Sequence, residues 1–371
     1  MFHCYIQLNI LIQLSYIVFF QTLNKRVNQY FKDNKLEKTG NWKLYLKSLI
    51  MFTILIAPFV IIISTNFNDW FKLFLAILIG IGMAGVGMNV MHDGNHGSFS
   101  KYPWVNKLMG GSIYILAGNV FNWKIQHNLL HHNYTNIKDH DEDLEAGVVL
   151  RFSKHAKWRP HHRFQHFYSI FLYGLLTLKW AIVSDFIRLS RYQKNNLSYL
   201  NSKSHSKQWV GLFISKIIYF SIWIFLPIFV FNIIWWKLLI GFFVMHYTAS
   251  LILSLVFQLA HVINEADMPL PDFKTGNMKN SWVVHQLKTT VNFSTNNRVI
   301  NWFTGGLNHQ IEHHIFPHIS HIHYSKISGI VKKTAREFNL PYNEYRNTRS
   351  AILSHFKFLK QMGMRPVYVK S

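Results

Sequence analysis

The sequence is poor in cysteine and in acidic residues: its 371 residues include one cysteine, Cys4, and 16 acids against 39 lysines and arginines. A single cysteine excludes an intrachain disulfide and a cysteine-based metal site. The shortage of acids leaves a formal net charge of +23, which suits either a nucleic acid or a membrane surface as partner. No recognised nucleic-acid motif occurs, so we expect no nucleic-acid partner.

Long hydrophobic runs are present but few. Half of the residues are hydrophobic, yet the mean hydropathy is only +0.08, which indicates a few membrane spans beside a large water-exposed part. A transmembrane helix needs about 20 largely apolar residues. Strand-like alternation of useful length is missing, so the sequence predicts an all-α integral membrane protein. Four segments are predicted to span the bilayer as two hairpins with very short links: residues 48–65, 71–91, 209–231 and 234–261.

The basic residues avoid the tips of both hairpins. Seven lie between Gln21 and Lys47, fifteen between His92 and Lys207, and fourteen after His261. Because cytoplasmic loops are rich in lysine and arginine, both termini and the long middle loop are predicted to be cytoplasmic. The predicted organisation has three parts: an N-terminal cytoplasmic or interfacial segment, residues 1–43; a membrane domain, residues 44–345; and a C-terminal cytoplasmic tail, residues 346–371.

Histidine is unusually abundant, with 22 residues, and it is clustered. HDGNH (residues 92–96) closes the second predicted span, HNLLHH (127–132) follows in the middle loop, and QIEHH (310–314) lies in the C-terminal region. Histidines at positions i and i+4 share one helix face, so each of the first two pairs can point at one centre. His261 closes the fourth span at the same membrane face as His92 and is a further candidate donor.

Three clusters on one predicted membrane side are typical of a metal site that several helices build together. Seven or eight nitrogen donors are too many for one ion, since zinc takes four ligands and catalytic zinc only three from the protein. Two ions therefore fit better. Imidazole suits zinc, copper, iron and nickel alike, so the ligand type leaves the choice of metal open. The Glu-x-x-His motifs of soluble di-iron bundles are not found in the sequence.

The three motifs resemble those of the membrane fatty acid desaturases, and specifically the front-end branch, in which glutamine opens the third motif. The surrounding segments are similar too, among them FQLAHV, WVVHQLKTTVNFS and NWFTGGLNHQIEHHIFPH. The resemblance covers roughly residues 40–345. One departure is His309, which precedes Gln310 where the family pattern has an aromatic or apolar residue.

The resemblance implies a cytoplasmic helical cap that holds two non-haem iron ions, with O2 as co-substrate. It implies an acyl-CoA or membrane acyl-lipid substrate, such as a linoleoyl chain, that receives a cis double bond at the Δ6 or Δ5 position. Many eukaryotic relatives carry a fused cytochrome b5 domain with an HPGG motif, which is not found here. The implied electron donor is therefore a separate ferredoxin or cytochrome b5. The implied iron ligands are His92, His96, His127, His131, His132, His261, His313 and His314.

Further residues are candidates for supporting roles. Gln310, Asp93 and Glu312 are predicted as additional metal ligands or as partners that orient the histidines, and Asp141 and Asp143 as orienting carboxylates. Four basic residues of the middle loop are weaker candidates for binding an anionic substrate headgroup, since a membrane-facing basic strip explains them equally well: Lys154, Lys157, Arg159 and Arg163.

Two alternative functions follow from the same residues. A sphingoid-base desaturase or a fatty-acyl hydroxylase would use the same di-iron centre and differ in substrate or in the fate of the oxidised carbon. A non-enzymatic membrane metal-binding protein would need polar residues inside several spans, whereas the span interiors are nearly apolar. The sequence therefore favours an enzyme that oxidises a lipid chain.

Overall fold

The computed structural model describes residues 2–144, 147–197 and 204–366, and these are largely helical. The first ten α-helices are α1 Phe2–Asp33, α2 Trp42–Ser64, α3 Asp69–Val86, α4 His92–His96, α5 Pro103–Gly110, α6 Val120–Trp123, α7 His132–Tyr134, α8 Gln165–Tyr173, α9 Leu176–Lys179 and α10 Asp185–Lys194. The others are α11 His205–Phe220, α12 Leu226–Phe229, α13 Trp235–His261, α14 Trp282–Thr289, α15 Arg298–Phe303, α16 Gln310–Ile315, α17 Tyr324–Glu337 and α18 Thr348–Gly363.

The structure also contains short π-helices and 3₁₀-helices and one pair of strands. The π-helices are Gly87–Met91, Lys124–His131, Trp180–Ser184 and Ser221–Phe225. The 3₁₀-helices are Gly111–Leu116, Glu142–Leu144, Pro160–Phe164 and His321–His323. Within the described residues the only strands are β1 Asn292–Phe293 and β2 Glu344–Tyr345, which pair in parallel. The prediction of an all-α fold is thus confirmed.

The four predicted spans are confirmed as helices long and apolar enough to cross a membrane: Trp42–Ser64, Asp69–His96, His205–Phe229 and Trp235–His261. The first begins six residues earlier than predicted because Asn41 caps it, accepting a hydrogen bond from the N–H of Lys43. Asn68 caps the second span in the same way through the N–H of Phe71. A further helical pair, Pro160–Tyr173 with Leu176–Lys194, is apolar enough for a span but is bent by 70°.

The chain forms two compact units, each discontinuous in sequence. Unit 1 comprises Met1–Gly40, Leu130–Phe167 and Phe257–Ser371; unit 2 comprises Asn41–Leu129 and Tyr168–Val256. Most of the apolar spans therefore fall in unit 2. Unit 1 holds the N-terminal segment, the central part of the middle loop and the C-terminal region. The three-part division from the sequence stays a prediction.

In unit 2, glycines allow close contact between spans. A Cβ atom at Gly80 would lie 2.5 Å from the carbonyl oxygen of Met245, and one at Gly82 would lie 2.5 Å from the backbone nitrogen of Leu55. Neither position leaves room for a side chain, because the obstacle is backbone. Small residues at such contacts are the usual means by which membrane helices pack closely.

An ionisable residue inside the fourth span is also explained by packing. His246 is fully buried, with Nδ1 2.8 Å from Oγ1 of Thr177 and Nε2 2.7 Å from the hydroxyl of Tyr219. Both ring nitrogens therefore have partners within unit 2. The cost of a polar side chain inside a span is offset by these hydrogen bonds.

Unit 1 is built around a core that supports the third histidine motif. α1 carries Phe19, Leu23, Val27 and Phe31 at a spacing of four, which places all four on one helix face. This face packs in one buried cluster with apolar residues of α14, α16 and α17. The cluster includes Ile311 of α16, so the helix that bears QIEHH rests directly on the core.

The close approach at Gly82 predicts a steric effect on stability. Gly82→Ala should lower the free energy of unfolding by about 1–3 kcal/mol, because the added methyl group meets the backbone of α2. Gly211→Ala in α11 is the matched control, since a Cβ there meets nothing within 4 Å. Thermal unfolding in detergent measures both variants. Equal thermal unfolding midpoints for the Gly82→Ala and Gly211→Ala variants would contradict a steric penalty at Gly82.

Candidate metal centre

Unit 2 contributes three histidines that lie close together. The ring centroids of His92 and His96 are 4.7 Å apart, and each is 5.1 Å from that of His127. Nε2 of His92 lies 3.1 Å from Nε2 of His127. Trp123 contacts all three rings, with its centroid 4.4–5.7 Å from theirs. Three imidazoles packed with their nitrogens this close form a set that a cation would stabilise.

The local structure explains why these rings converge. The π-helix Gly87–Met91 leads into α4, and Gly97 ends α4 in the left-handed conformation with φ of 73°. His92 and His96 are one helical turn apart on α4, as the i, i+4 spacing predicts. Nδ2 of Asn128 donates to the carbonyl of Asn95 at 3.0 Å, which ties the neighbour of His127 to α4. Asp93 is buried in this region of unit 2, near the ammonium group of Lys47.

Unit 1 contributes five more histidines, all with side chains largely shielded from solvent. His131, His261 and His314 offer ligand atoms within 4.8 Å of one another, and so do His132, His313 and His314. The ring centroids of His131 and His261 are 4.7 Å apart, and those of His132 and His313 are 4.6 Å apart. α7, α13 and α16 supply these residues together with the π-helix that ends at His131. His131 and His132 of HNLLHH are thus brought together with His313 and His314 of QIEHH and with His261.

Asp141 orients His131. Both carboxylate oxygens lie 3.1 Å from Nδ1 of His131, and Asp143 lies 3.6 Å from the same atom. The N–H groups of Asn136 and Asp143 donate to the Asp141 carboxylate at 2.8 and 3.0 Å. Burial lowers the pKa of His131, but the charge and hydrogen bond of Asp141 and the charge of Asp143 outweigh it and leave that pKa raised. The predicted role of Asp141 as an orienting carboxylate therefore has a geometric basis.

His261 is held at the end of α13 by backbone and amide contacts. Its Nδ1 lies 3.3 Å from the carbonyl of Thr289. Asn136, in the left-handed conformation with φ of 60°, donates from Nδ2 to the carbonyls of His261, Asp267 and Thr289. One buried amide thereby joins the end of α13, the segment after it and the end of α14. Gln310 lies beside the His261 ring, where it can orient that ring or add a ligand.

α14 binds the ring of His314 and the backbone carbonyl of His132. Oε1 of Gln286 lies 2.8 Å from Nδ1 of His314 and accepts a hydrogen bond from Thr135 Oγ1 at 2.9 Å. Nε2 of Gln286 donates to the carbonyl of His132 at 3.0 Å, and Nε1 of Trp282 donates to the same carbonyl at 3.1 Å. The Gln286 side chain therefore binds two of the segments that carry histidines, at His314 and at His132.

α16 holds His313 and Glu312 in different environments. Nδ1 of His313 lies 3.3 Å from the hydroxyl of Tyr324. Glu312 is fully buried, and its two carboxylate oxygens accept hydrogen bonds from Asn292 Nδ2 at 2.8 Å and Tyr342 hydroxyl at 2.9 Å. Burial and the neighbouring Glu312 raise the pKa of Tyr342. Glu312 thus joins QIEHH to β1 and to the C-terminal region, and His309 Nδ1 lies 3.7 Å from it.

The donor set of unit 1 fits a transition metal. Histidines that bind metals almost always use their other ring nitrogen on a carboxylate, a carbonyl or another polar group. Four of the five rings meet that condition at Nδ1, through Asp141, Thr289, Gln286 and Tyr324. In each case Nε2 is the nitrogen suited to a metal. Neutral imidazoles supply strong donors without adding charge to the buried site.

The sequence did not identify several residues that support the site. Gln286, Thr135, Asn136 and Tyr324 bind histidine rings or the carbonyls beside them. A signal was present in α14, whose buried residues include His285, Gln286 and Thr289 among apolar neighbours. Polar side chains at such positions need partners, which indicates a supporting role. The side chains of the four headgroup candidates are all exposed, namely Lys154, Lys157, Arg159 and Arg163.

Comparisons with known proteins match most of the chain to proteins of one kind. A family model described as fatty acid desaturase matches residues 68–346. An sn-1 linoleoyl-lipid 6-desaturase of Arthrospira platensis is 35% identical over 353 residues, covering 94% of each chain. One of the same name from Synechocystis sp. is 32% identical, covering 93% of this chain and 95% of its own. Delta(5) fatty acid desaturase A of Dictyostelium discoideum is 29% identical, covering 95% and 76%.

Removing the charge of Asp141 should weaken metal binding. Asp141→Asn keeps the size of the side chain but places an amide N–H₂ where two backbone N–H groups and His131 Nδ1 converge. Loss of an orienting carboxylate typically costs 10–100-fold in metal affinity, and we expect about that loss here. Asp139→Asn is the matched control, since Asp139 is exposed and pairs with Lys138. Competition with a chelator, followed by metal analysis, compares the two; equal retention would contradict the role of Asp141.

Proposed function

The chain belongs to the fatty acid desaturase family, and on that basis we propose that it inserts a cis double bond into an unsaturated acyl chain carried on a membrane lipid. The names of the relatives support a front-end position: two are linoleoyl-lipid 6-desaturases and one is a Delta(5) desaturase. The Gln310 that opens the third motif supports the same branch. The two 6-desaturases are 35% and 32% identical and are matched over 94% and 95% of their own length, against 29% and 76% for the Delta(5) desaturase. Δ6 on a linoleoyl lipid is therefore the favoured reaction.

The observation that carries this proposal is the set of buried histidines whose Nδ1 atoms are already engaged. We assign the metal ligands to the eight histidines of the three motifs and the end of α13, and the metal to two iron ions. The family and the number of nitrogen donors support this assignment. The proposed ligands are His92, His96, His127, His131, His132, His261, His313 and His314.

The chemistry requires an oxidant, because an alkyl chain has neither an acidic proton nor a leaving group. When bound, a non-haem di-iron centre lets O2 and two electrons remove two hydrogen atoms from adjacent carbons, with two protons taken up and two waters formed. The chain's own residues keep the site in position. Asp141, Gln286 and the Thr289 carbonyl hold imidazoles in fixed orientations, so that the ligand nitrogens need little rearrangement on binding.

The proposal includes topology and a redox partner. The excess of lysine and arginine outside the hairpin tips supports termini and an active site on the cytoplasmic side. The electrons come from a separate one-electron carrier, a ferredoxin or a cytochrome b5. Lys154, Lys157, Arg159 and Arg163 remain predicted contacts for an anionic substrate headgroup.

Lipid analysis tests the reaction directly. Expressed in a host that supplies linoleic acid and a reduced ferredoxin, the chain should produce γ-linolenic acid, detected as its methyl ester by gas chromatography with mass spectrometry. His313→Ala/His314→Ala should reduce the product to background, because two ligands are lost. His140→Ala/His318→Ala removes two exposed histidines outside the site and should retain the product.

Other products would revise the proposal in defined ways. Hydroxylated chains would retain the metal site but contradict desaturation. A new double bond only in sphingoid bases would contradict the acyl substrate. An iron-loaded wild-type chain that yields no new lipid with several unsaturated acyl chains would contradict the proposed function.

The carrier of the acyl chain can be tested separately. If the substrate is a membrane lipid, a pulse of labelled linoleate should first give labelled γ-linolenoyl groups in glycerolipids and only later in the acyl-CoA pool. Thin-layer separation of lipid classes at short times measures this order. Early label in acyl-CoA would contradict a lipid-bound substrate while leaving the desaturation itself intact.

A further inference from the structure

The C-terminal helix α18 has a charged outer side. From Arg346 to Arg365 the sequence contains five basic residues and no acidic residue. His355, Leu359 and Gly363 are buried, while Lys357 and Lys360 are exposed. α18 therefore packs with one face and presents lysines on the other.

A segment of the middle loop extends this charge. The guanidinium of buried Arg151 donates to the carbonyls of Met362 at 2.7 Å and Lys154 at 2.6 Å, which ties the loop to the end of α18. Trp158 Nε1 donates to the carbonyl of Gly363 at 2.8 Å. Residues 147–163 contain no acid. We call the combined exposed set the basic face: Lys154, Lys157, Arg159, Arg163, Lys357, Lys360 and Arg365.

The buried side of α18 leads to a proposed iron ligand. His355 is fully buried, and its Nδ1 lies 2.7 Å from the carbonyl of Val262, the residue that follows His261. Asn264 Nδ2 donates to Ser354 Oγ at 3.2 Å. α18 is therefore linked to His261 through the His355 side chain, its hydrogen bond to the Val262 carbonyl, and the peptide bond between Val262 and His261. A protein bound on the outside of α18 would be close to the metal site.

We propose that the basic face docks the acidic one-electron carrier protein that reduces the enzyme, a role that for its four middle-loop residues is the alternative to binding the substrate headgroup. This inference rests on the proposed function, which requires two electrons for each double bond and hence two carrier visits. Neither segment contains an acid, and among the described residues Glu265 hydrogen-bonds to α18 only at the buried Ser354. Seven cations on the two segments exceed what a single phosphate needs, whereas they match the charged surface of a small protein. Electron-transfer complexes are small and transient, and opposite charges speed their formation.

Direct binding tests the docking surface without turnover. The purified full chain is placed in nanodiscs of zwitterionic phosphatidylcholine, and its Kd is measured for two acidic probes, a plant-type [2Fe–2S] ferredoxin and a soluble cytochrome b5. Lys357→Glu/Lys360→Glu should raise the Kd of at least one probe about tenfold at low salt, with a smaller effect near 0.5 M salt. The matched control is Lys326→Glu/Lys333→Glu on α17, also exposed and also in unit 1; its Kd should change less than about twofold.

The outcomes separate this inference from its rivals. The basic face does not dock the carrier if neither probe binds the wild-type chain, if both probes bind the reversed variant as tightly as the wild-type chain, or if the α17 control loses as much affinity. If binding is unchanged but the reversed variant loses co-purified anionic phospholipid, the face contacts membrane headgroups and the inference is wrong. Because the Kd requires no product, a failure of desaturation in the lipid analysis would not be mistaken for a failure of docking.

Discussion

The hydrogen bond at Nδ1 of four buried histidines in unit 1, His131, His261, His313 and His314, is the contact around which their site is arranged. Asp141, α14 and Tyr324 supply the partners, with α14 contributing both Gln286 and the Thr289 carbonyl, and each partner binds one ring. An imidazole fixed at Nδ1 has one tautomer and one orientation to offer a metal through Nε2. Oriented nitrogen donors are what an oxidation at an unactivated carbon requires of the protein.

The two units differ in how their polar backbone and side-chain groups are satisfied. The spans of unit 2 satisfy their backbone groups within helices, as lipid demands, and use glycines for close contact. Unit 1 contains turns, short helices and a two-residue strand pair, whose polar groups are satisfied by buried side chains such as Asn136 and Asn292. His96 and His261 end the second and fourth spans, while His131, His132, His313 and His314 lie in the irregular structure of unit 1.

Much of this was predictable because it depends on local sequence. The spans are set by runs of apolar residues, and the His92–His96 pair by helical spacing. Asp141 was among the acids predicted to orient the rings, and it lies against His131. Gln286 was not predicted, since it lies 28 residues from His314. For Glu312, predicted as a metal ligand or an orienting partner, the sequence did not indicate that Asn292 and Tyr342 bind its carboxylate. Such pairings depend on tertiary packing that no spacing rule contains.

The central claim is that the buried imidazoles hold two iron ions, and Mössbauer spectroscopy of the purified chain loaded with ⁵⁷Fe tests it most directly, combined with iron analysis. The account predicts two non-haem irons per chain with parameters typical of nitrogen-rich coordination. One iron per chain, or iron displaced by zinc without loss of desaturation, would contradict it.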